Sequence, residues 1–114
     1  MILVSVVIPT YKRNSTLPRA IESVLNQTYK DIEILVVDDN EPGDEYYKNN
    51  IKLLLDYKDT GKVKHVQQEH HTNGAVARNL GIQKASGEYI AFLDDDDEWL
   101  PTKLEKQVSI LDTS

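Results

Sequence analysis

Gly87-Glu88-Tyr89-Ile90-Ala91-Phe92-Leu93-Asp94-Asp95-Asp96-Asp97-Glu98-Trp99-Leu100-Pro101 is the stretch around which the chain is organised. It opens on a turn residue. Tyr89 to Leu93 then has the length and composition of a buried strand. Four aspartates and a glutamate follow without a break. Pro101 is well placed for the first turn of a helix. Acidic side chains crowded at one spot repel one another, and a cation relieves that repulsion. Hard cations such as Mg²⁺ and Mn²⁺ take carboxylate oxygens and complete their shell with substrate phosphates. A solvated acidic loop starting a helix accounts for one or two such residues. Four aspartates after a buried strand, with Trp99 behind them, point to a metal site.

Working outward, the 114 residues suit one domain with a modest core, and 39% of them are hydrophobic. The net charge of −6 disfavours general nucleic-acid binding. A compact anionic ligand can still bind if a metal carries the positive charge. The absence of cysteine excludes a disulfide framework and a thiolate metal site, and it fits a reducing compartment. Met1 to Pro9 is apolar but too short for a membrane span and lacks the flanks of a signal peptide. No internal repeat or low-complexity tract is evident.

Leu3 to Ile8 is nearly all apolar, as in a parallel strand covered on both faces. Tyr11-Lys12-Arg13-Asn14 is a polar loop. Ser15 is a candidate cap for a helix that tolerates Pro18 in its first turn and buries Leu17, Ala20, Ile21, Val24 and Leu25. Ile32 to Val37 is a second strand, ending in Asp38-Asp39-Asn40, and Pro42-Gly43 marks a turn. Tyr47, Ile51, Leu54 and Leu55 repeat at helical spacing until Thr60-Gly61-Lys62. Val63 to Val66 is a weaker strand expected near a sheet edge. Asn73 caps a third helix whose contacts are Val76, Ala77, Leu80 and Ala85, and Ser86-Gly87 ends it. Leu100, Leu104, Val108 and Leu111 form a last stripe.

The order β-α-β-α-β-α-β-α implies an α/β domain of three layers, α/β/α, on a mostly parallel sheet in the spatial order 3-2-1-4. Ligands of such sheets bind beyond the carboxyl ends of the strands. Tyr11 to Asn14, Asp38 to Asn40 and the aspartate cluster all fall there. Each alone is an ordinary strand-end turn; their coincidence at one rim points to a site.

Other motifs fail on particular residues. A calcium-binding EF-hand loop counted from Asp94 places Trp99 where the turn requires Gly. Pro9-Thr10-Tyr11-Lys12-Arg13 replaces the glycine loop of phosphate-binding and dinucleotide-binding domains. No serine lies in a nucleophile elbow. His65, His70 and His71 lack metal-ligand spacing and read as one strand-surface and two loop histidines.

Five segments resemble family-two glycosyltransferases, which have the GT-A fold. They are Val4-Ser5-Val6-Val7-Ile8-Pro9-Thr10-Tyr11, Ala20 to Tyr29, Val36-Val37-Asp38-Asp39, Ala77-Arg78-Asn79-Leu80-Gly81-Ile82 and Gly87 through Pro101. They keep the family's order and cover nearly the whole chain. The resemblance implies a Rossmann-like nucleotide-diphospho-sugar transferase domain, of which residues 1–114 are the N-terminal donor-binding part. It places Pro9, Tyr11, Asp38, Asp39, Arg78 and Asp95 at the nucleotide. Tyr11 stacks on the base, Asp39 accepts from a uracil-type base with Asp38 beside it, and Asp95 lies near the ribose. The aspartate cluster becomes the DxD-type motif, a ligand of Mn²⁺ or Mg²⁺. Two frames are open: Asp94 with Asp96 in the usual spelling, or Asp95 near the ribose with Asp96 on the metal, so Asp96 is the metal ligand common to both. Arg78 is a donor contact or a surface arginine with equal weight, and Lys12 and Arg13 can neutralise phosphate or stay solvated.

The chemistry agrees with that assignment. Loss of a nucleoside diphosphate builds negative charge that a divalent ion stabilises. The anomeric carbon becomes oxocarbenium-like, and a base deprotonates the acceptor hydroxyl. Family resemblance implies an inverting reaction, a carbohydrate or lipid-linked acceptor and a part in polysaccharide biosynthesis. It also places the base in a second half beyond Ser114, so this chain is expected to bind donor without transferring sugar. The expected location is cytoplasmic, at the inner membrane face for a full-length protein. Two alternatives compete. A response-regulator-like phospho-acceptor module needs an acidic pair after the first strand, where Pro9-Thr10-Tyr11 sits. A nucleotidyltransferase needs a Gly-rich loop at the same place.

Overall fold

The structure is a computed structural model that describes residues 2–13 and 15–113. Asn14, part of the expected loop, lies outside the described residues. The elements in order are β1 (Val4–Thr10), α1 (Leu17–Leu25), β2 (Ile32–Asp38), α2 (Glu45–Leu54) with a 3₁₀ extension (Leu55–Thr60), β3 (Val63–Gln67), α3 (Gly74–Lys84), β4 (Tyr89–Phe92) and α4 (Lys103–Thr113). The four strands form one sheet in the order β3-β2-β1-β4, all parallel, as the alternation requires. β1 lies at the centre between β2 and β4, with Val6 opposite Ile34 and Ala91.

Period-two alternation divides the strands between two layers. Val4, Val6, Ile8, Ile32, Ile34 and Val36 face α1 and α4, whose Leu17, Ala20, Ile21, Val24, Leu104 and Val108 complete the larger core. Val7, Leu35 and Val37 face the opposite way, onto α3 through Ala77. α3 comes close because Gly81 has no side chain. A Cβ there would run into the methyl groups of Val7 and reach 3.2 Å from Val37 Cγ2.

Several sequence expectations are corrected. α1 starts at Leu17 behind Thr16, with no side-chain cap bond, so Ser15 is not its cap. The stripe Tyr47, Ile51, Leu54, Leu55 does not face the core as a unit. Ile51 and Leu55 are exposed, while Leu53, Leu54 and Tyr57 pack against the main core, because the last turn tightens to 3₁₀ and rotates the face. Val76 is exposed on α3. β4 is an edge strand buried on one side only: Tyr89 and Ala91 pack on the main core, but Ile90 and Phe92 lie beyond the reach of α3 and are exposed. α4 starts at Lys103, so Pro101 sits in the turn before it, where its carbonyl accepts from the Thr28 N–H at 2.9 Å. Leu100 and Leu111 are exposed, leaving Leu104 and Val108 as the buried contacts of that helix. Asn73 does cap α3, its side chain accepting from the Val76 N–H. β3 lies at the sheet edge as expected. Among the described residues no helix is long and apolar enough to cross a membrane.

Two buried carboxylates cross-link the sheet. Near its amino end, Glu33 of β2 accepts from Ser5 Oγ of β1 (2.5 Å), Lys64 Nζ of β3 (2.8 Å) and the Ser86 N–H at the entrance to β4 (2.6 Å). At its carboxyl end, Asp38 takes the same part beside the candidate site.

Candidate functional site at the carboxyl rim

β1 and β2 end in register, Thr10 beside Asp38, and the Asp39 N–H donates to the Thr10 carbonyl at 2.9 Å. Leu93 follows β4 and donates its N–H to the Val7 carbonyl, which carries the aspartates to the same rim. Asp38 itself is fully buried. Its Oδ1 accepts from the Asn40 N–H (3.0 Å) and Nδ2 (2.7 Å); its Oδ2 accepts from Asn50 Nδ2 (3.0 Å) and lies 2.9 Å from His65 Nε2. Asn40 so held accepts the Lys12 N–H at 2.8 Å, and Lys12 sits at φ 48°, a left-handed conformation that a non-glycine residue keeps only when its surroundings hold it. The path Asp38–Asn40–Lys12 therefore shapes the loop that presents Tyr11.

Above this base lies an open cleft of about 320 Å³. Its walls are Pro9, Thr10, Tyr11 and Arg13 after β1, Asp39 after β2, His71 and Asn73 before α3, Gly74, Ala77 and Arg78 on α3, and Asp94 and Asp95 after β4. Asp39 is held by the Thr72 N–H (3.0 Å) and Thr72 Oγ1 (2.7 Å), and its Oδ2 lies 2.9 Å from His71 Nδ1. The rings of Tyr11 and His71 stack, with centroids 3.8 Å apart and planes 20° from parallel. Asp95 is buried, accepting from Thr10 Oγ1 at 2.8 Å and pairing with Arg13 Nε at 3.1 Å. Burial, together with the charge of neighbouring Asp96, raises its pKa above the usual aspartate range despite these partners. Arg13 Nη1 also reaches Asp96 Oδ2 at 3.5 Å, so one guanidinium lies against two carboxylates.

Of the residues singled out from sequence, the fold brings Pro9, Tyr11, Asp39, Arg78, Asp94 and Asp95 together in one cleft. Asp96 stands at its margin, half exposed, in contact through Arg13. Asp38 does not line the cleft; both its oxygens are turned to Asn40, Asn50 and His65. His65, read as a strand-surface residue, is instead the partner of that buried carboxylate. No sequence pattern singles out Thr10 or His71 for the cleft, and for Arg13 it admits both a phosphate contact and a solvated side chain. A hydroxyl at a strand end was the available signal for Thr10; the placement of His71 depends on how residues 68–73 fold back over β2, which no spacing reveals.

The two cross-linking carboxylates give the fold a defined pH response. For Glu33, burial alone raises the pKa, but the bonds from Lys64, Ser5 and Ser86 outweigh it and leave it lowered. For Asp38, the bonds from His65, Asn50 and Asn40 likewise overcome burial. Carboxylates with lowered native pKa values stabilise the fold above their unfolded pKa of about 4, and that stability is lost as pH falls through the native values. Asp95, with a raised pKa, contributes in the opposite direction, its stabilisation lost as pH rises through its native value. The melting temperature is therefore expected to drop steeply below about pH 4, and Glu33→Gln is expected to make that drop shallower. A thermal-melt series from pH 3 to pH 8 measures it; an unchanged slope in the variant contradicts the assignment.

The chain belongs to glycosyl transferase family 2, whose sequence model matches residues 5–114. It is 39% identical over 109 residues to the UDP-Glc:alpha-D-GlcNAc-diphosphoundecaprenol beta-1,3-glucosyltransferase WfgD of Escherichia coli, across 96% of this chain and 41% of that protein. It is 41% identical over 97 residues to the GalNAc(5)-diNAcBac-PP-undecaprenol beta-1,3-glucosyltransferase of Campylobacter jejuni, across 84% of this chain and 30% of that protein. The crystal structure of S. aureus TarS 1-349 in complex with UDP-GlcNAc has the same fold, with a TM-score of 0.83 and 25% identity over 96% of this chain and 31% of that one. The fold is thus that of the GT-A glycosyltransferases, and the chain spans less than half the length of these relatives.

Proposed function

We propose that this chain is the donor-binding part of a glycosyltransferase that moves a sugar from a UDP-type nucleotide sugar to an acceptor hydroxyl with inversion, aided by a divalent cation. The observation that carries the reading is the cleft at the carboxyl rim, where an aromatic ring, two arginines and three carboxylates converge from four separate segments. Family membership sets aside the phospho-acceptor and nucleotidyltransferase alternatives. The names of the E. coli and C. jejuni relatives support a lipid-linked acceptor, an undecaprenyl diphosphate glycan, and the E. coli name supports a UDP-sugar donor.

The aspartates fit a cation of the Mg²⁺ or Mn²⁺ kind. Asp95 and Asp96 already converge on one positively charged group, the Arg13 guanidinium, and both offer hard oxygen ligands. Among the described residues no three carboxylate or imidazole side chains enclose a metal by themselves. That suits an ion held by one or two carboxylates and completed by diphosphate and water. Asp96, joined by Asp94 in one frame, would hold it, and its Lewis acidity would stabilise charge on the departing diphosphate. The chain's own groups do the rest. Tyr11 stacks on the base and Asp39 accepts its N–H. Asp95, oriented by Thr10, lies near the ribose. Arg78 and Arg13 offer positive charge to the phosphates, and bidentate geometry favours arginine there.

Calorimetric titration of UDP and uridine, each with and without Mn²⁺, tests this. UDP is expected to bind about tenfold more tightly with Mn²⁺, whereas uridine affinity does not respond to the metal. Asp96→Asn is expected to abolish the metal effect on UDP and spare uridine; Asp39→Asn weakens both. Equal UDP affinity in EDTA and Mn²⁺ contradicts the metal assignment.

A further inference from the structure

The cleft already contains a ring that lies where a base would, stacked on Tyr11 and against Asp39. We propose that His71 is an internal occupant of the nucleobase subsite, and that donor binding requires its ring to leave Tyr11 and Asp39. This rests on the donor-binding reading above and deepens it. Base recognition was assigned to a stack on Tyr11 and a hydrogen bond to Asp39. His71 occupies both places: its imidazole lies 3.8 Å from the Tyr11 ring at 20°, and its Nδ1, hydrogen-bonded to the Asp39 carbonyl at 3.1 Å, lies 2.9 Å from Asp39 Oδ2. The other Asp39 oxygen is taken by the Thr72 N–H and hydroxyl. A planar heterocycle with an N–H on its edge has the shape and hydrogen-bonding pattern that a uracil-type base presents, so the imidazole and the base compete for one place.

The segment that carries His71 is built to yield. His71 and Asn73 are exposed, and Thr72 is half-buried. Beyond Gln68, whose N–H donates to the Asp38 carbonyl at 3.0 Å, and besides Asp39, this segment meets the β2 side through Glu41, whose exposed carboxylate accepts the His71 N–H at 3.0 Å and lies 3.4 Å from His70 Nδ1. Exposed contacts of this kind hold a loop weakly. The Thr72 bonds to Asp39 run through the backbone and a separate hydroxyl, so the imidazole can rotate away while they keep the carboxylate oriented. The free chain then divides between a state with the ring in the subsite and one with it out. Apparent affinity is the intrinsic affinity multiplied by the fraction that is open.

The test is uridine and UDP titration of the intact chain and of His71→Ala, with wild-type His71 followed by NMR. Removing the ring is expected to tighten uridine binding about three- to tenfold. In the wild type, the His71 ring protons, shifted upfield by Tyr11, are expected to move towards free-histidine values as uridine saturates. Unchanged or weaker uridine binding by His71→Ala overturns the proposal, because the imidazole then supports the base instead of competing with it. Ring protons that keep their Tyr11 shift in the saturated complex overturn it independently of any variant. Binding by His71→Ala with none by the wild type supports it in the strongest form. No binding by either rejects the donor-site reading itself, and the proposal with it.

Discussion

Asp38→Ala is expected to destabilise the chain by about 3–4 kcal/mol, which for a domain of this size lowers the melting temperature by about 15 °C or more. The cost comes from what is left behind. Asp38 is fully buried and serves the Asn40 N–H, Asn40 Nδ2, Asn50 Nδ2 and His65 Nε2 at 2.7 to 3.0 Å. Truncation leaves these donors in a site where water replaces the carboxylate poorly, and each unsatisfied buried donor costs about 1–3 kcal/mol, partly relieved by relaxation. The lesion spreads to the cleft through one route. Asn40, released from Asp38, no longer fixes the Lys12 N–H, so the strained turn that presents Tyr11 loosens. A thermal melt and a uridine titration together measure it: both stability and affinity fall, although Asp38 does not line the cleft. Asp38→Asn keeps the volume but changes acceptors into a donor at Nδ2, so it is expected to fall between wild type and Ala. A variant as stable as the wild type would mean that Asp38 is not the hub of this network.

Gly87→Ala is expected to cost about 3 kcal/mol and to disturb the aspartates without touching them. An added Cβ would lie 2.5 Å from Ser5 Oγ, 2.7 Å from the Ser5 backbone nitrogen and 2.8 Å from the Leu3 carbonyl oxygen. Two of these atoms are backbone of the central strand's entrance and cannot swing aside. The Gly87 N–H also donates to Ser5 Oγ at 2.7 Å, and Ser5 in turn donates to Glu33. Pushing residue 87 outward therefore strains the link from β4 through β1 to β2. β4 pairs with β1 over only four positions, Val4 with Tyr89 to Val7 with Phe92, so a shift at its start is poorly absorbed before Asp94. The expected readout is a lower melting temperature together with a weaker Mn²⁺ effect on UDP binding, the affinity of uridine changing less. The second part separates a displaced aspartate cluster from general unfolding. Full retention of the metal effect in a folded Gly87→Ala chain would show that the cluster does not depend on how β4 enters the sheet.

The architecture follows from local pattern. Continuous apolar runs such as Leu3 to Ile8 and Ile32 to Val37 need both faces covered, and their alternation with helical stripes admits a parallel sheet with right-handed crossovers. The strand order β3-β2-β1-β4 is among those that rule admits, and the gathering of strand ends at one rim follows from parallel pairing; the placement of Tyr11, Asp39, Asp94 and Asp95 at that rim could be read from the chain, and that of Pro9 from the family resemblance. Three matters could not. Adjacent carboxylates Asp38 and Asp39 look alike in sequence and both are buried, yet one is an enclosed structural hub and the other lines the cleft, because a strand end turns successive side chains to opposite sides. The faces of α2 and β4 depend on which neighbours reach them: Ile51, Ile90 and Phe92 are as apolar as their buried counterparts, and only the reach of the covering helices leaves them exposed. The pairing of Arg13 with Asp95 and Asp96, and of His71 with Tyr11 and Asp39, joins residues more than thirty positions apart. Periodicity carries information about which face a residue occupies on its own element. It carries none about which distant loop folds over it, and in this protein the contacts around the base and the aspartates are made by such loops.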